Sequence, residues 1–371
     1  MAAAATEIPT HQKAIVYDEP GKISTKIVEI ETPKPGVGQV LVRITHSGVC
    51  HSDMGVMTNS WAWLPAPTAK DQIGGHEGVG EVVAFGPGTE NSGLKKGQRV
   101  GIKWMADICG SCAACRVGAD ACCPEGKISG YYTPGTFQQY ALAPANYVTP
   151  IPDGLPSDVA APLLCGGLTV YSALKKSGAQ PGDWVVIAGA GGGLGHLAVQ
   201  IGARGMGFRM IGIDAGSKEK LVKDCGAEVF FDVTKYSRDD EGSAKLAADV
   251  KAVTGSANGA AAVVICTASN AAYTQGLSFL KFNGTVVCVG VPEGTPVPIA
   301  SAIPANVIIA QLRIIGSAVG NRQEAIETLE MAARGVVKTH VTVEKMDKLT
   351  EVFEKMNKGE VQGRVVLDLT A

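Results

Sequence analysis

Four cysteines within one short segment have the residue type and the spacing to bind a metal ion. Cys109, Cys112 and Cys115 are spaced CxxCxxC, and Cys123 follows eight residues after the third. Four thiolates on one loop can complete a tetrahedral shell around zinc with no open position, which is typical of a structural site. A redox motif or a Cys-rich loop without metal is the alternative. The adjacent Cys122 is left out of the ligand set, because direct neighbours cannot easily bind the same ion.

A second possible ligand set is dispersed along the chain. It consists of Cys50 in GVCHSD, His76 in GGHEG and Cys165 in PLLCGGLTVY. One nitrogen and two sulfurs leave a fourth position on zinc for water or substrate, as a catalytic site requires. Taken alone this set is a weak signal, since a single Cys or His is more often a packed core residue.

A glycine-rich turn, GAGGGLG at residues 189–195, stands between a predicted strand and a predicted helix. The absence of side chains there lets the pyrophosphate of a dinucleotide approach the backbone at a helix N-terminus. The register is imperfect, because Ala190 occupies the first position of a strict GxGxxG motif. The candidate pyrophosphate contacts are Gly189, Gly192, Gly193, Leu194 and Gly195.

The residue that ends the next predicted strand indicates which dinucleotide is bound. Asp214 lies about twenty residues beyond the turn. A carboxylate there can accept hydrogen bonds from both ribose hydroxyls of NAD, and its charge repels the 2′-phosphate of NADP. The sequence therefore favours NAD over NADP. Lys218, near the start of the following helix, is a candidate for the same ribose, and a solvated helix residue is its alternative.

The elements that must position these groups follow from the hydrophobic pattern. Residues 13 to 150 show short β-rich runs, such as Gln39 to Thr45 and Gly78 to Phe85, between Gly and Pro clusters. From Pro181 onward apolar strands alternate with helical segments, which predicts a parallel, doubly wound sheet with right-handed crossovers. Beyond Ile315 two amphipathic helical patterns precede the strand-like RVVLDL.

Size, charge and cysteine content limit the class of protein. A chain of 371 residues predicts two domains. A net charge of -2 without any long basic run argues against nucleic acid as a partner. No apolar stretch approaches the roughly 20 residues that span a bilayer, and the first residues lack the pattern of a secretion signal, so we expect a cytoplasmic protein. The 10 cysteines are then expected to be metal ligands or reduced core thiols.

The order of these groups along the chain resembles that of the zinc-containing medium-chain alcohol dehydrogenases, in particular the yeast-type, fungal branch. The resemblance covers nearly the whole chain from Lys13. It is based on GVCHSD, GGHEGVGEV, GIKW, the four-Cys segment, GTFQQYA, CGGLTVY, GGLG, GID, VGNR and the final GR.

The resemblance implies roles for the residues around the catalytic metal. Cys50, His76 and Cys165 would bind catalytic zinc, and Glu77 would approach the metal from behind and help its ligands exchange. Asp53 would hydrogen-bond His76 and orient it. Ser52 would take the alcohol proton.

Further roles follow for the cofactor and the substrate pocket. His51 and Arg364 would neutralise the pyrophosphate, and Thr169 would pack on the nicotinamide. Trp61 and Trp104 match the aromatic residues that narrow the pocket toward ethanol-sized substrates. The alternatives are that Thr169 only fills the core, that Trp61 covers a loop, and that Arg364 pairs with a surface carboxylate.

The same resemblance implies an α/β fold of two domains. A GroES-like, mainly β catalytic domain would cover residues 1–165, and a Rossmann domain with a doubly wound parallel sheet would bind NAD with residues 166–318. Residues 319–371 would return to the catalytic domain. Two zinc ions per chain are expected, one catalytic and one structural. The short segment from Cys123 to Gly135 is typical of the tetrameric members, so a homotetramer is expected.

Two departures from the family pattern concern proton release and substrate size. Gly55 stands where the family usually carries a His relay, five residues after the first Cys ligand. We therefore expect Ser52 and the cofactor ribose to pass the proton directly to solvent. The loop from Trp61 to Gly74 is a few residues longer than in the yeast-type pattern. Because this loop borders the substrate entrance, a pocket suited to a substrate other than ethanol stays an alternative.

The resulting hypothesis is a zinc-dependent oxidoreductase that interconverts a small primary or secondary alcohol and its aldehyde or ketone with NAD. A specialised biosynthetic reductase or a polyol dehydrogenase of the same family is the alternative. A non-catalytic NAD-binding protein is a third interpretation, which the complete zinc ligand sets oppose.

Overall fold

The computed structural model describes residues 7–295 and 297–370, which form two compact units. The first contains the chain up to Cys165, the segment Asn321–Leu329 and the chain from Val341 onward. The second contains Gly166–Gly320 and Glu330–His340. The last of these segments is bonded within the second unit, since the amide of Gln200 bonds both the carbonyl and the N–H of Lys338. The domain limits expected from the sequence, with one return at residue 319, stay a prediction.

The regular elements alternate between strands and short helices. In chain order the strands are β1 (His11–Tyr17), β2 (Thr25–Glu31), β3 (Gln39–Val49), β4 (Gly78–Phe85), β5 (Arg99–Ile102), β6 (Met105–Asp107), β7 (Lys127–Ile128), β8 (Tyr140–Pro144), β9 (Thr149–Pro150), β10 (Trp184–Ala188), β11 (Arg209–Asp214), β12 (Val229–Asp232), β13 (Ala260–Ile265), β14 (Leu280–Cys288), β15 (Arg313–Gly316), β16 (Val341–Lys345) and β17 (Arg364–Asp368). The helices are α1 (His51–Met57), α2 (Ala113–Arg116), α3 (Ser157–Ala160), α4 (Gly166–Lys176), α5 (Gly195–Gln200), α6 (Glu219–Asp224), α7 (Asp240–Thr254), α8 (Asn270–Gly276), α9 (Pro304–Ala310), α10 (Arg322–Ala333) and α11 (Leu349–Asn357).

The first unit is built on a seven-stranded sheet. Its strand order is β16-β17-β3-β4-β5-β9, and β8 pairs with β3 beside this path. All neighbours are antiparallel except β16 and β17. The long strand β3 sends Val40, Val42 and Ile44 into the core of this unit, where Phe137 and Phe353 are also fully buried. Burial of this apolar surface holds the strand ends, and therefore the residues that follow them, in fixed positions.

The second unit contains a six-stranded parallel sheet in the order β12-β11-β10-β13-β14-β15. This is the order of a doubly wound dinucleotide-binding sheet, in which ligands bind at the carboxyl ends of the strands. Every residue of the central strands β10 and β13 is buried, because helices cover both faces of a parallel sheet. The glycine-rich turn directly follows β10, and Asp214 ends β11.

No single helix within residues 7–295 and 297–370 is long and apolar enough to cross a membrane, although Ser157–Leu164 and Gly166–Lys176, bent by 48°, pass that test together.

Candidate metal centres and cofactor site

The four cysteines of the CxxCxxC segment lie together on one loop of the first unit. Their sulfur atoms all lie within 4.8 Å of one another. The Sγ atoms of Cys112 and Cys115 are 3.5 Å apart, and those of Cys109 and Cys115 are 4.0 Å apart. Two thiolates on a tetrahedral zinc ion, each about 2.3 Å from the metal, are separated by about 3.8 Å. The group, completed by Cys123, therefore fits zinc.

Backbone amides on this loop stabilise the thiolate form that binds metals. The N–H groups of Ser111 and Cys112 lower the pKa of Cys109 to about 6. Short helix α2 brings Cys112 and Cys115 onto one turn, where the Cys112 sulfur accepts the N–H of Cys115. Burial raises the pKa of Cys115 to about 12, so a divalent cation is needed before all the sulfurs can be thiolates together. Cys122 is exposed and does not belong to the group.

The dispersed residues Cys50, His76 and Cys165 also meet, and Glu77 joins them. One ligand atom from each of the four lies within 4.8 Å of the others, and all four residues are buried. Cys50 follows β3 and begins α1, while His76 and Glu77 directly precede β4. Because β3 and β4 are antiparallel neighbours, the end of one strand lies beside the start of the other. A hydrogen bond from Cys165 holds the pKa of Cys50 well below its usual range, although burial opposes the shift.

The imidazole of His76 is oriented for metal binding. Its Nδ1 lies 2.8 Å from Asp53 Oδ1, and the other oxygen of Asp53 accepts the N–H of Cys50 at 2.9 Å. Since a carboxylate only accepts hydrogen bonds, Nδ1 carries the proton and Nε2 keeps its lone pair. Nε2 is buried and has no hydrogen-bond partner among the described residues. A buried acceptor left without a partner is costly, and a metal ion at this position removes that cost.

Arg364 lies behind the ligand group. The residue is buried, its guanidinium forms a short ion pair with Glu77 Oε1, and it donates to the carbonyl of Val49 at 3.4 Å. Burial raises the pKa of Glu77, and the positive charge of Arg364 opposes that rise. Glu77 packs so tightly that a Cβ on Gly48 would come within 1.9 Å of its Oε2. The partner of Arg364 is thus a buried carboxylate, and its contact with pyrophosphate stays a prediction.

A row of tryptophans leads away from His76. The ring of Trp104 meets the imidazole edge to face with centroids 4.8 Å apart, and Trp61 contacts Trp104 at 6.0 Å. Trp63, which was not predicted, stacks on Trp61 at 5.4 Å and is half exposed. The two predicted pocket residues therefore form one aromatic wall beside the dispersed ligand group.

The first turn of α1 carries two more predicted residues. Ser52 is partly exposed, and its Oγ lies 3.6 Å from the sulfur of Cys50. His51 is exposed. Thr169 lies in the first turns of α4 in the second unit and is buried.

The glycine-rich turn of the second unit has positions that only glycine can occupy. Gly189 has φ +81°, and a Cβ on Gly195 would lie 2.0 Å from the Gly189 carbonyl oxygen. Gly192 and Gly193 continue the turn, and Leu194 precedes α5. Only glycine fits at positions 189 and 195, so the turn can close tightly before α5, as a dinucleotide-binding turn does.

The carboxylate of Asp214, at the end of β11, hydrogen-bonds the backbone of the glycine-rich turn. One carboxylate oxygen accepts the N–H of Gly191 at 2.8 Å and the other accepts the N–H of Ala215 at 2.8 Å. Lys218 Nζ lies 3.6 Å from the same carboxylate. The carboxylate thus lies at the carboxyl end of β11 beside the glycine turn, where a ribose binds in doubly wound sheets.

Comparisons with known proteins agree with both units. Residues 36–153 match the alcohol dehydrogenase GroES-like domain, and residues 193–334 match the zinc-binding dehydrogenase domain. The sequence is 62% identical to alcohol dehydrogenase 2 of Emericella nidulans over 99% of this chain and 100% of that protein. The chain belongs to the zinc-containing alcohol dehydrogenase family.

Solved structures of this family share the fold. The alcohol dehydrogenase of Aeropyrum pernix superposes with a TM-score of 0.82 at 30% identity, over 96% of this chain and 99% of that one. Acetophenone reductase from Geotrichum candidum, in complex with NAD, superposes with a TM-score of 0.81 at 29% identity over 98% of both chains. The family and the fold class that the sequence predicted are confirmed.

One residue of this alcohol dehydrogenase beside the cofactor turn was missed in the sequence. His196 is fully buried in α5, and its Nδ1 donates to the Gly192 carbonyl at 2.9 Å. The same carbonyl accepts the backbone N–H of His196 at 3.2 Å, so this histidine binds the end of the glycine turn through both its main chain and its side chain. The position of His196 four residues after Gly192 was the available signal, since such residues are neighbours on a helix.

A buried polar network beside the four-Cys loop was also missed. Lys103 Nζ donates to the Tyr147 carbonyl at 2.8 Å and lies 3.4 Å above the ring of the same residue. Tyr147 donates to Asp120 at 2.8 Å, and Asp120 lies between the third and fourth cysteines of the loop. Asn321 binds the carbonyl of Gly118 on the same loop at 3.1 Å. These contacts attach the loop to the body of the first unit.

We expect Lys103 to make stability depend on pH. Burial lowers the pKa of Lys103 from 10.5 to about 7, although Asp120 opposes the shift. Between these values the unfolded chain binds more protons than the folded one, so the free energy of unfolding rises with pH, by up to about 1.4 kcal/mol per pH unit. Lys103→Met should remove this slope. Denaturant unfolding of both proteins from pH 7 upward measures it.

The control for this experiment is Lys127→Met, because Lys127 is exposed on β7. That variant should keep the pH slope of the parent protein. Equal slopes for the parent and the Lys103→Met protein would contradict the expectation.

Proposed function

We propose that the buried group of Cys50, His76 and Cys165 is the catalytic centre, where small primary or secondary alcohols are converted to aldehydes or ketones and back. Membership of the family makes the chain an alcohol dehydrogenase, an oxidoreductase that uses zinc and NAD. The observation that carries the assignment is the lone pair of His76 Nε2, which faces two thiols while Nδ1 is fixed by Asp53. One imidazole nitrogen and two sulfurs are the ligand set of a catalytic zinc site, which is what supports the assignment.

We assign different roles to the two ligand groups: one would hold a structural ion and the other a catalytic ion. Cys109, Cys112, Cys115 and Cys123 supply four sulfurs and leave no free position, so they would hold the structural ion. The dispersed group supplies one nitrogen and two sulfurs besides Glu77, and Glu77 is already engaged by Arg364. A position therefore remains for the substrate oxygen.

When bound in the dispersed group, zinc supplies a Lewis acid that favours ionisation of an alcohol hydroxyl, and NAD supplies the hydride acceptor. The residues of the chain prepare this chemistry. Asp53 keeps the imidazole of His76 in one tautomer and one orientation. The pair of Glu77 and Arg364 balances charge behind the ligands. The tryptophan wall excludes water from one side, which strengthens electrostatic interactions within the site.

Ser52 is the group that we assign to proton transfer. Its hydroxyl lies beside the sulfur of Cys50 and is partly exposed, so it can accept the alcohol proton and also reach solvent. Gly55 offers no side chain at the position of the usual His relay. Ser52 would therefore hold the alcohol proton on its way to solvent, and the ribose of bound NAD would supply the other hydroxyl of this route.

The glycine turn and Asp214 would bind the cofactor. Gly189, Gly192, Gly193, Leu194 and Gly195 would surround the pyrophosphate at the start of α5. His51 and Arg364 would add positive charge, Thr169 would contact the nicotinamide, and Lys218 would contact the ribose. Asp214 would select NAD, since its charge repels a 2′-phosphate.

Matched cysteine variants test the division between the two metal centres. Cys165→Ala should lower NAD-dependent alcohol oxidation by several orders of magnitude, since it removes a ligand of the catalytic ion. It should lower the thermal unfolding temperature only slightly, by what the unsatisfied Nε2 of His76 costs. Cys112→Ala should lower the free energy of unfolding by several kcal/mol, because a structural ion contributes directly to folding. Each variant should lose one of two zinc ions per chain.

Initial rates with NAD and a panel of alcohols, zinc analysis and thermal unfolding are the required measurements. Cys122→Ala is the matched control, because Cys122 is an exposed cysteine outside both groups. An active Cys165→Ala protein, or equal loss of folding in both ligand variants, would contradict the assignment.

Cofactor choice should depend on the charge of Asp214. Asp214→Asn keeps an oxygen that can accept the N–H of Gly191 but removes the negative charge. We expect the ratio of kcat/KM for NAD to that for NADP to fall by about tenfold or more, equivalent to roughly 1.4 kcal/mol of lost repulsion. An unchanged ratio in a correctly folded variant would show that Asp214 does not select the cofactor.

We infer a homotetramer in the cytoplasm. Among residues 7–295 and 297–370, the edge strand β15 of the six-stranded sheet has a neighbour on one side only, β14. Helix α9 next to it exposes Ile308 and Ile309, which are 72% and 80% accessible. An uncovered strand edge beside exposed isoleucines is typical of a surface that a second copy covers.

The cysteines of both metal centres form no disulfides among the described residues, which favours a reducing compartment such as the cytoplasm.

Charge on α9 should disrupt this assembly. The double variant Ile308→Asp/Ile309→Asp should have a lower molar mass in light scattering than the parent protein, because two buried carboxylates in each copy would oppose pairing. Val37→Asp, at an exposed position in the other unit, is the control and should keep the parent mass. If the double variant has the same molar mass as the parent protein, α9 is not part of the interface.

A further inference from the structure

Gly55 is in direct contact with the indole of Trp61. The residue lies inside α1 and is buried. A Cβ built on it would lie 2.9 Å from Trp61 Cε2, 3.0 Å from Nε1 and 3.2 Å from Cδ2. Carbon atoms prefer separations of about 3.5–4.0 Å, so the ring occupies the space where any other residue would place its side chain.

The indole cannot simply rotate away, because aromatic rings hold it on its other sides. Trp61 is 9% exposed, and its ring contacts those of Trp63 and Trp104. Trp104 in turn contacts the imidazole of His76. A displacement of the indole away from Gly55 is therefore transmitted toward the residues beside the ligand group.

A glycine inside a helix is unfavourable compared with alanine, because it leaves the unfolded chain more freedom. Its presence in the middle of α1 thus has a local cost that packing must offset. The three atoms nearest to the missing Cβ all belong to the indole of Trp61, which is the packing that can offset this cost.

We propose that Gly55 determines substrate size by seating Trp61 against α1, and that the space so gained admits apolar alcohols larger than ethanol, including branched secondary ones. This inference rests on the proposed function. In this chain the position of the usual His relay supports the wall of the substrate pocket instead. Gly55 is a positioning residue, since it acts through Trp61 and touches no reacting atom.

The experiment compares substrate preference in a set of variants. Gly55→Ala should push the indole outward and lower kcat/KM for 2-butanol relative to ethanol by about tenfold or more, as expected when a pocket loses the volume of a methylene. The near-UV circular dichroism of the protein without cofactor should change as well, because the tryptophan contacts move. Gly36→Ala is the control, since only the flexible end of Gln39 lies close to its Cβ position. It should leave both signals unchanged.

The same substitution in a Trp61→Phe protein distinguishes loss of the contact between Gly55 and Trp61 from a general effect of alanine on folding. In Trp61→Phe the smaller ring leaves room for a Cβ, so Gly55→Ala/Trp61→Phe should show the same substrate ratio as Trp61→Phe alone. It should also melt at the same or a higher temperature, since alanine favours the helix. This comparison applies even if Gly55→Ala alone does not fold.

Two results would overturn the inference. One is an active Gly55→Ala protein with the parent substrate ratio and the parent near-UV spectrum. The other is an equal drop in the ratio in both Trp61 backgrounds. Failure of the proposed function is distinguishable, because the parent protein would then oxidise none of the alcohols while the near-UV spectra would still test the contact.

Discussion

The bond between His76 and Asp53 is the constraint on which the proposed catalytic centre depends. It connects a buried imidazole to a carboxylate that also binds the first N–H of α1 at Cys50. Two residues from different segments, Cys50 after β3 and His76 before β4, are thereby fixed by one side chain. The same bond directs the proton to Nδ1, so the free lone pair of Nε2 faces the sulfurs. Without a metal ion the arrangement leaves a buried acceptor unsatisfied, and the fold around it would be costly.

Much of the second unit could be predicted from the sequence, because burial on both faces of a parallel strand produces uninterrupted apolar runs. Strands β10, β11 and β13 are of this kind, and the glycine turn follows the first of them. Strand β15 and helix α9 were not predicted. Their apolar residues remain largely exposed within one chain, so they lack the periodicity that a single core imposes.

The residue types at the site could be predicted, but several of their partners could not. Glu77 and Arg364 are separated by 287 positions, and no local pattern indicates that they pair. The buried Lys103 belongs to a recognisable motif, yet its position above Tyr147 depends on the fold of the first unit. In the sequence, Gly55 indicates only the loss of a relay side chain. The structure shows in addition that its Cα faces an indole, which is a property of the neighbour and not of the residue itself.

The two metal centres differ in how much of the fold must exist before they form. The four cysteines of the structural set lie within one segment, and backbone N–H groups of the same segment already donate to their sulfurs. Metal binding can therefore order this loop locally, and its free energy contributes to folding. The proposed catalytic ligands come from three distant segments and meet only after β3 and β4 have paired. Their geometry is imposed by the sheet, so a metal ion bound there would meet a site that folding has already prepared.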